Sequence, residues 1–168
     1  MVELWELVDI NKNKTGRIHE RGKESAIPEG MYHLVVEVWT KNSKGEILLT
    51  QRHPDKNYGL MWECTGGSVV AGEESVDAAM RELVEETGLL AEKEALKYLG
   101  DTVKEYYIVD TYLYLSEDEV PDLKLQADEV VDSMWVSVDE ITSKKEVIVA
   151  GAWERFCQFE EQIKSIEK

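Results

Sequence analysis

Glu82, Glu85 and Glu86 stand on neighbouring turns of one helix-like run, "SVDAAMRELVEETGL", with Arg81 the one basic residue beside them. At about 100° per residue their side chains fall within an arc of roughly 100°, so the spacing gathers three carboxylates on one patch. Like charges at these separations cost about 0.2 to 0.5 kcal/mol per pair on an exposed helix, and more where water is partly excluded. Arg81, four residues before Glu85, can pair with it, but one guanidinium does not balance three carboxylates at a cleft. A divalent cation does, because Mg²⁺ and Mn²⁺ take oxygen ligands and tolerate shared carboxylates. Gly66 and Gly67, just upstream, let backbone carbonyls approach a ligand closely. The chemistry these residues support is metal-assisted; the plainer alternative is a solvated acidic face and a glycine bulge.

The elements that must position them are legible from periodicity. Val76, Ala79, Leu83 and Leu90 form an apolar stripe beside the acidic patch, so the helix packs on a sheet by one face and turns the other to a cleft. Ser75 is the expected N-cap and Gly88 the C′ residue, while Ala78 at N3 rules out a full capping box. "VELWELVDI", the turn "NKNKTG" and "RIHERG" predict an N-terminal hairpin over about residues 1–22. "YHLVVEVWTKN" and "ILLTQR", joined by "SKGE", predict a second hairpin, and "WECTGG" a short strand ending in flexible backbone. Strands are expected in "LKYLGDTV", "YYIVDTYLYL" and "EVVDSMWV", with a long acidic loop "SEDEVPDLKLQAD" between the last two and a short helix opening at "SVDEI". From Ala150 to Lys168 the spacing is helical, with Trp153, Phe156, Phe159 and Ile163 on one side. Strands on both sides of a central helix, with a second helix at the end, imply an α/β/α sandwich with a mixed β-sheet.

Composition bounds the partners. A chain of 168 residues with 43% hydrophobic residues suits one domain spanning 1–168. The net charge of -16 argues against nucleic acid, whose binding needs basic surface to displace counterions. A phosphorylated ligand would be repelled as well unless divalent cations offset the local charge. Cys64 and Cys157 do not make a disulfide framework and read as reduced thiols. The start lacks a basic and apolar leader, and no apolar run reaches membrane-spanning length, so the expected location is cytoplasmic, without membrane partners.

Read as spacing, the central stretch is Gly67, five residues, Glu73, seven residues, then Arg81 to Leu89 as R-E-L-V-E-E-T-G-L. This resembles the Nudix box, G, five, E, seven, R-E-U-x-E-E-x-G-U with U aliphatic, at every specified position. The resemblance implies an α/β/α Nudix fold and a hydrolase splitting a nucleoside diphosphate linked to another group, or a related diphosphate, with Mg²⁺ or Mn²⁺. Carried over by position, Glu82, Glu85 and Glu86 would be metal ligands with the Gly66 carbonyl as a further one. Arg81 would orient the carboxylates, Glu73 would brace the loop against the helix, and Gly66 and Gly67 would border the substrate. Glu85 or Glu86 could be the base, or Asp128 or Glu129 from "LQADEVVD", since family members also recruit one from a later loop.

Outside the box, "MYHLVVEVWTKNSKGEILLTQR" and "LQADEVVDSMWVSVDEI" are similar to the branch of the superfamily that includes isopentenyl diphosphate isomerase. That likeness implies Arg52 and Lys56 as phosphate-binding residues. The isomerase needs a cysteine just before the box loop and a histidine two residues on, positions held here by Gly66 and Ser68. Cys64 lies two residues early and reads as a buried structural thiol, and His33 as a strand-end histidine. Hydrolysis is therefore expected over isomerisation, with a nucleotide sensor that has lost cleavage as a third reading. Tyr58, Trp62, Tyr106 and Tyr107 could border the cleft and clamp a base. The N-terminal hairpin could cover the substrate or exchange with a second subunit in a homodimer.

Overall fold

Alternation of apolar side chains decides which face of each strand meets a helix. The computed structural model describes residues 2–119 and 122–167. Met1, Val120, Pro121 and Lys168, which fall in the expected hairpin, acidic loop and C-terminal helix, lie outside the described residues. The strands are β1 (Leu4–Val8), β2 (Lys14–Glu20), β3 (His33–Lys41), β4 (Glu46–Arg52), β5 (Trp62–Glu63), β6 (Thr65–Ser68), β7 (Leu96–Val103), β8 (Tyr107–Leu115) and β9 (Val130–Ser137). The helices are α1 (Ser75–Thr87), α2 (Val138–Ser143) and α3 (Ala150–Ser165).

β3 runs parallel to β8, from His33 opposite Tyr107 to Lys41 opposite Leu115, and antiparallel to β6. β7 completes that leaf beside β8, while β4 pairs antiparallel with β5 and β9. The expected second hairpin exists only at its turn, where Lys41 faces Ile47, because β6 and β8 take the remaining backbone groups of β3. "WECTGG" likewise divides into β5 and β6, one for each leaf. The place where β3 and β4 part is left as a gap in the sheet.

Val36, Val38, Leu48 and Tyr112 pack with Ala78, Ala79 and Leu83 of α1 on one face. Trp39, Ile47, Leu49 and Leu113 pack with Phe156, Phe159 and Ile163 of α3 on the other. Each such fully buried aliphatic or aromatic side chain contributes about 1.5 to 3 kcal/mol relative to exposure, so these two layers hold the helices to the sheet. The result is the α/β/α arrangement expected from the element order. Two details of α1 differ from expectation. Glu74 occupies the N-cap, and the Ser75 hydroxyl instead bonds Asp110 and Tyr112. Leu90 lies past the helix end and is exposed, since Gly88 at φ 76° turns the chain away before the stripe reaches it. α2 is closed by a capping box between Ser137 and Glu140.

The N-terminal hairpin docks on its own chain. Val8 and Tyr32 exchange backbone hydrogen bonds of 2.8 and 2.9 Å, and the Trp5 ring stacks on His33 at 3.9 Å. Lys12, at the hairpin turn, donates to Tyr98 Oη at 2.8 Å and to the buried carboxylate of Asp110 at 2.9 Å. Among the described residues no helix is long and apolar enough to cross a membrane.

Candidate active site

α1 presents its acidic edge to the β6 strand, and Arg81 ties the two together. Its Nε donates to Glu73 Oε1 at 3.0 Å and its Nη1 to Glu82 at 2.7 Å and Glu85 at 3.1 Å. Its Nη2 donates to Glu73 Oε2 at 3.1 Å and to the Ser68 carbonyl at 2.9 Å. Five hydrogen bonds from one planar fork fix the loop, the helix and the strand in a single geometry, which a lysine point charge would not do. These partners hold the guanidinium pKa above its ordinary value, so Arg81 stays charged.

The glycine pair is demanded by close approach. A Cβ on Gly67 would lie within 2.6 Å of both carboxylate oxygens of Glu82, and one on Gly66 would lie 2.7 Å from the Val36 carbonyl oxygen. Gly67 thus makes room for the Glu82 carboxylate, and Gly66 for the neighbouring strand.

The three box glutamates sit in different surroundings. Glu85 is half-exposed at the edge of the Arg81 fork. Glu82 is more enclosed, and burial pushes its carboxyl pKa up against the pull of Arg81. Glu86 is buried, and its pKa is pushed up to about 8, first by burial and then by the nearby charges of Glu63 and Glu82. Arg81 reaches Glu82 and Glu85 but makes no hydrogen bond to Glu86. Consequently the expected patch is not a ready cage: among the described residues no three Asp, Glu, His or Cys side chains are gathered to hold a metal ion. The donor chemistry nevertheless fits a hard divalent cation. The groups are all carboxylate oxygens, two of them poorly solvated and held ionised only at a cost, which a cation would remove.

Beside α1 lies a cleft of about 260 Å³, opening where β3 and β4 part. It is lined by the expected residues Arg52, Lys56, Gly66, Gly67, Glu82 and Glu129. Arg52 is ion-paired to Glu63, and its Nε also donates to the Asn57 carbonyl at 2.7 Å. Lys56 is ion-paired to Glu129, and burial together with Arg52 lowers its pKa. Asp128 does not line the cleft, nor do Tyr58, Trp62, Tyr106 or Tyr107. Tyr58 is exposed, Trp62 packs against the α3 core, and Tyr106 and Tyr107 contact the His33 ring. His33 begins β3, buried, and desolvation drops its pKa to about 4. Cys64 borders the cleft but is buried beside Glu37, and its thiol is pushed well above the ordinary value by burial. Both cysteines are free thiols.

The cleft also contains residues that spacing did not single out. Glu63 stands on β5, and Glu3 and Arg21 come from the N-terminal hairpin, paired with each other at 2.7 Å. Glu37 of β3 and Arg155 of α3 form a buried ion pair, with the Trp39 indole also donating to Glu37 at 2.8 Å. The available signal was a charge inside an apolar strand, "HLVVEVWTK", since a buried carboxylate needs a partner.

Comparisons with known proteins point to one family. A family model described as "NUDIX domain" matches residues 31–157. An uncharacterized Nudix hydrolase of Listeria monocytogenes is 35% identical over 147 residues, covering 83% of each chain. An isopentenyl-diphosphate Delta-isomerase of Pectobacterium atrosepticum is 35% identical over 146 residues, covering 82% of this chain and 78% of the other. Among solved structures, a Deinococcus radiodurans protein superposes with a TM-score of 0.67 at 20% identity, covering 84% of this chain and 87% of the other.

Proposed function

As the chain belongs to the Nudix family and is a pyrophosphohydrolase of that family, we propose that it uses Mg²⁺ or Mn²⁺ to cleave the diphosphate linkage of a nucleoside diphosphate derivative or related diphosphate ester. The observation that carries this reading is the Arg81 fork, which holds Glu73, Glu82 and Glu85 against the Ser68 carbonyl while Glu86 stays buried beside them, its pKa raised by burial and by the charges of Glu63 and Glu82.

Glu82, Glu85 and Glu86, with the Gly66 carbonyl, would hold the cation. When bound, such an ion polarises a phosphoryl oxygen and lowers the pKa of a water, the chemistry needed for attack at phosphorus. The chain's own residues then do the positioning. Arg81 keeps Glu82 and Glu85 from drifting apart, and Gly67 lets Glu82 reach the strand. Arg52 and Lys56 supply cationic groups for the diphosphate oxygens. Glu129, which lines the cleft where Asp128 does not, is positioned to accept a proton once Lys56 turns to the substrate. The docked hairpin closes one side of the cleft with Glu3 and Arg21.

The isomerase reading has a 35% identical relative in its favour. Against it, the positions that the isomerase fills with cysteine and histidine hold Gly66 and Ser68, and Cys64 carries a raised rather than a lowered thiol pKa. Hydrolysis is tested with a panel of nucleoside diphosphate derivatives and isopentenyl diphosphate, scored for product with and without Mg²⁺. Metal-dependent phosphate or nucleotide release that falls about 100-fold or more in Glu86→Gln is the expected result. No turnover of any diphosphate, or equal turnover by Glu86→Gln, contradicts the reading.

A further inference from the structure

Four cations line the cleft, and each already has a carboxylate partner: Arg21 with Glu3, Arg52 with Glu63, Lys56 with Glu129, and Arg155 with Glu37. These pairs differ in how firmly they are held. The Arg21 side chain is 59% exposed, so water screens that pair and an incoming anion meets little resistance there. Arg155 and Glu37 are 12% and 5% exposed, and separating them would strand a buried charge. Arg52 with Glu63, at 18% and 22%, and Lys56 with Glu129, at 28% and 33%, lie between these extremes. They are dry enough for the pairing to matter and wet enough for it to be reversed.

The partner of Arg52 faces other carboxylates, and Lys56 itself lies within reach of the charges of Glu86 and Glu63. Glu63 stands close enough to Glu86 for each to feel the other's charge, and Glu82 adds to it. The backbone keeps the two outer pairs in register with this cluster. His53 N–H donates to the Glu129 carbonyl at 2.8 Å, and Arg52 holds the loop through the Asn57 carbonyl. A bare diphosphate entering the cleft must therefore take Arg52 and Lys56 from Glu63 and Glu129, leaving two carboxylates without their cations in the cleft that Glu82 also lines. A divalent cation arriving with the diphosphate gives those carboxylates a new partner.

Resting on the hydrolase reading above, we propose that Glu63 and Glu129 are specificity-determining residues. By occupying Arg52 and Lys56 they make the cleft refuse an unescorted diphosphate and accept one that brings a divalent cation. The exchange of partners couples the two ligands, so each raises the affinity of the other by the same factor.

The test is calorimetric titration with methylenediphosphonate, a diphosphate that is not hydrolysed at the bridge, in 0.15 M salt, with EDTA or with Mg²⁺, corrected for Mg²⁺ bound by the free ligand. Wild type is expected to bind about tenfold or more tightly with Mg²⁺. In EDTA, Glu63→Gln is expected to bind about tenfold more tightly than wild type, with a smaller gain from Mg²⁺. Glu129→Gln, at the more exposed pair, is expected to do the same through Lys56, and thermal melts report whether each variant is folded. Asp55→Asn removes one charge from the same loop at a side chain outside these pairs and is expected to change affinity less than about twofold, because salt screens it. If wild type binds with Mg²⁺ but neither folded glutamine variant binds more tightly in EDTA, or Asp55→Asn gains as much, the inference is overturned and the hydrolase reading stands. If wild type takes up no methylenediphosphonate even with Mg²⁺, both fall.

Discussion

Substituting alanine at Gly66 and at Gly67, adjacent positions on β6, is expected to break two different things. At Gly67 the added methyl would come within 2.6 Å of both Glu82 carboxylate oxygens, where ordinary contact begins at 3.4 Å. The carboxylate is the far end of a flexible side chain, so it retreats by about 1 Å or more, leaving the fold largely intact. The unfolded chain also loses freedom, worth about 0.4 to 1 kcal/mol in favour of the folded state. Stability should therefore stay within about 1 kcal/mol of wild type, while a displacement of that size costs about 100-fold in turnover. At Gly66 the methyl meets the Val36 carbonyl at 2.7 Å, and backbone in a paired strand cannot swing away. Overpacking of that kind costs about 1 to 3 kcal/mol. For a chain of this size that is a fall of roughly 5 °C in Tm. The assay pairs thermal melts with turnover of the best substrate in the panel and with Mn²⁺ affinity. Gly67→Ala that melts like wild type and keeps turnover within about twofold would refute the assignment of Glu82 to the reacting centre.

Other consequences follow from the same contacts. Arg81→Lys keeps the charge but loses the fork that spans Glu73, Glu82, Glu85 and Ser68, so turnover should drop about tenfold to 100-fold, measured against Arg81→Ala to separate charge from geometry. Glu86 has its folded pKa raised to about 8, so it favours the folded state most below its unfolded pKa of 4.5 and loses that contribution as pH rises through about 8. Mg²⁺ should offset that loss, giving a larger rise in Tm at pH 8.5 than at pH 6.5, with proton release on binding below about pH 8. His33 titrates the other way. Its pKa falls from 6.5 to about 4 on folding, so the stability that goes with its neutral form is complete above about pH 6.5 and is lost as pH falls toward 4. The shift amounts to about 3 kcal/mol, and His33→Phe, which also removes the unpaired buried Nδ1, should flatten the acid limb of a Tm against pH plot.

Much of the fold was legible because the strands and helices carry clean periodicity. "YHLVVEVWTKN", a β-branched and aromatic run, becomes β3, and the apolar positions of "AWERFCQFEEQIKS" land on the α3 core. What periodicity does not carry is pairing. "SKGE" marks a turn, yet whether β3 and β4 stay together depends on which distant strands compete for their backbone groups, and β6 and β8 win. Ser75 is a good N-cap type by local rules, but Asp110 and Tyr112, brought near by the sheet, claim its hydroxyl. The box residues were visible because they share one helix and one loop. Glu63, Glu37 and Arg155 were not, since only the meeting of β5, β3 and α3 puts them in one cleft. The carboxylates also proved less convergent than helical spacing implied, because Arg81 draws two of them to itself while Glu86 turns inward.

The uptake of Mn²⁺ at the α1 edge, counted from the electron paramagnetic signal of the free ion at pH 8 in the presence of methylenediphosphonate, reaches the central claim most directly. Folded wild type should bind at least one ion per chain, and Glu82→Gln with Glu86→Gln in the same folded protein should weaken that binding about tenfold or more. Equal uptake by wild type and the double variant, or none by wild type, would contradict the assignment of these carboxylates as the metal site.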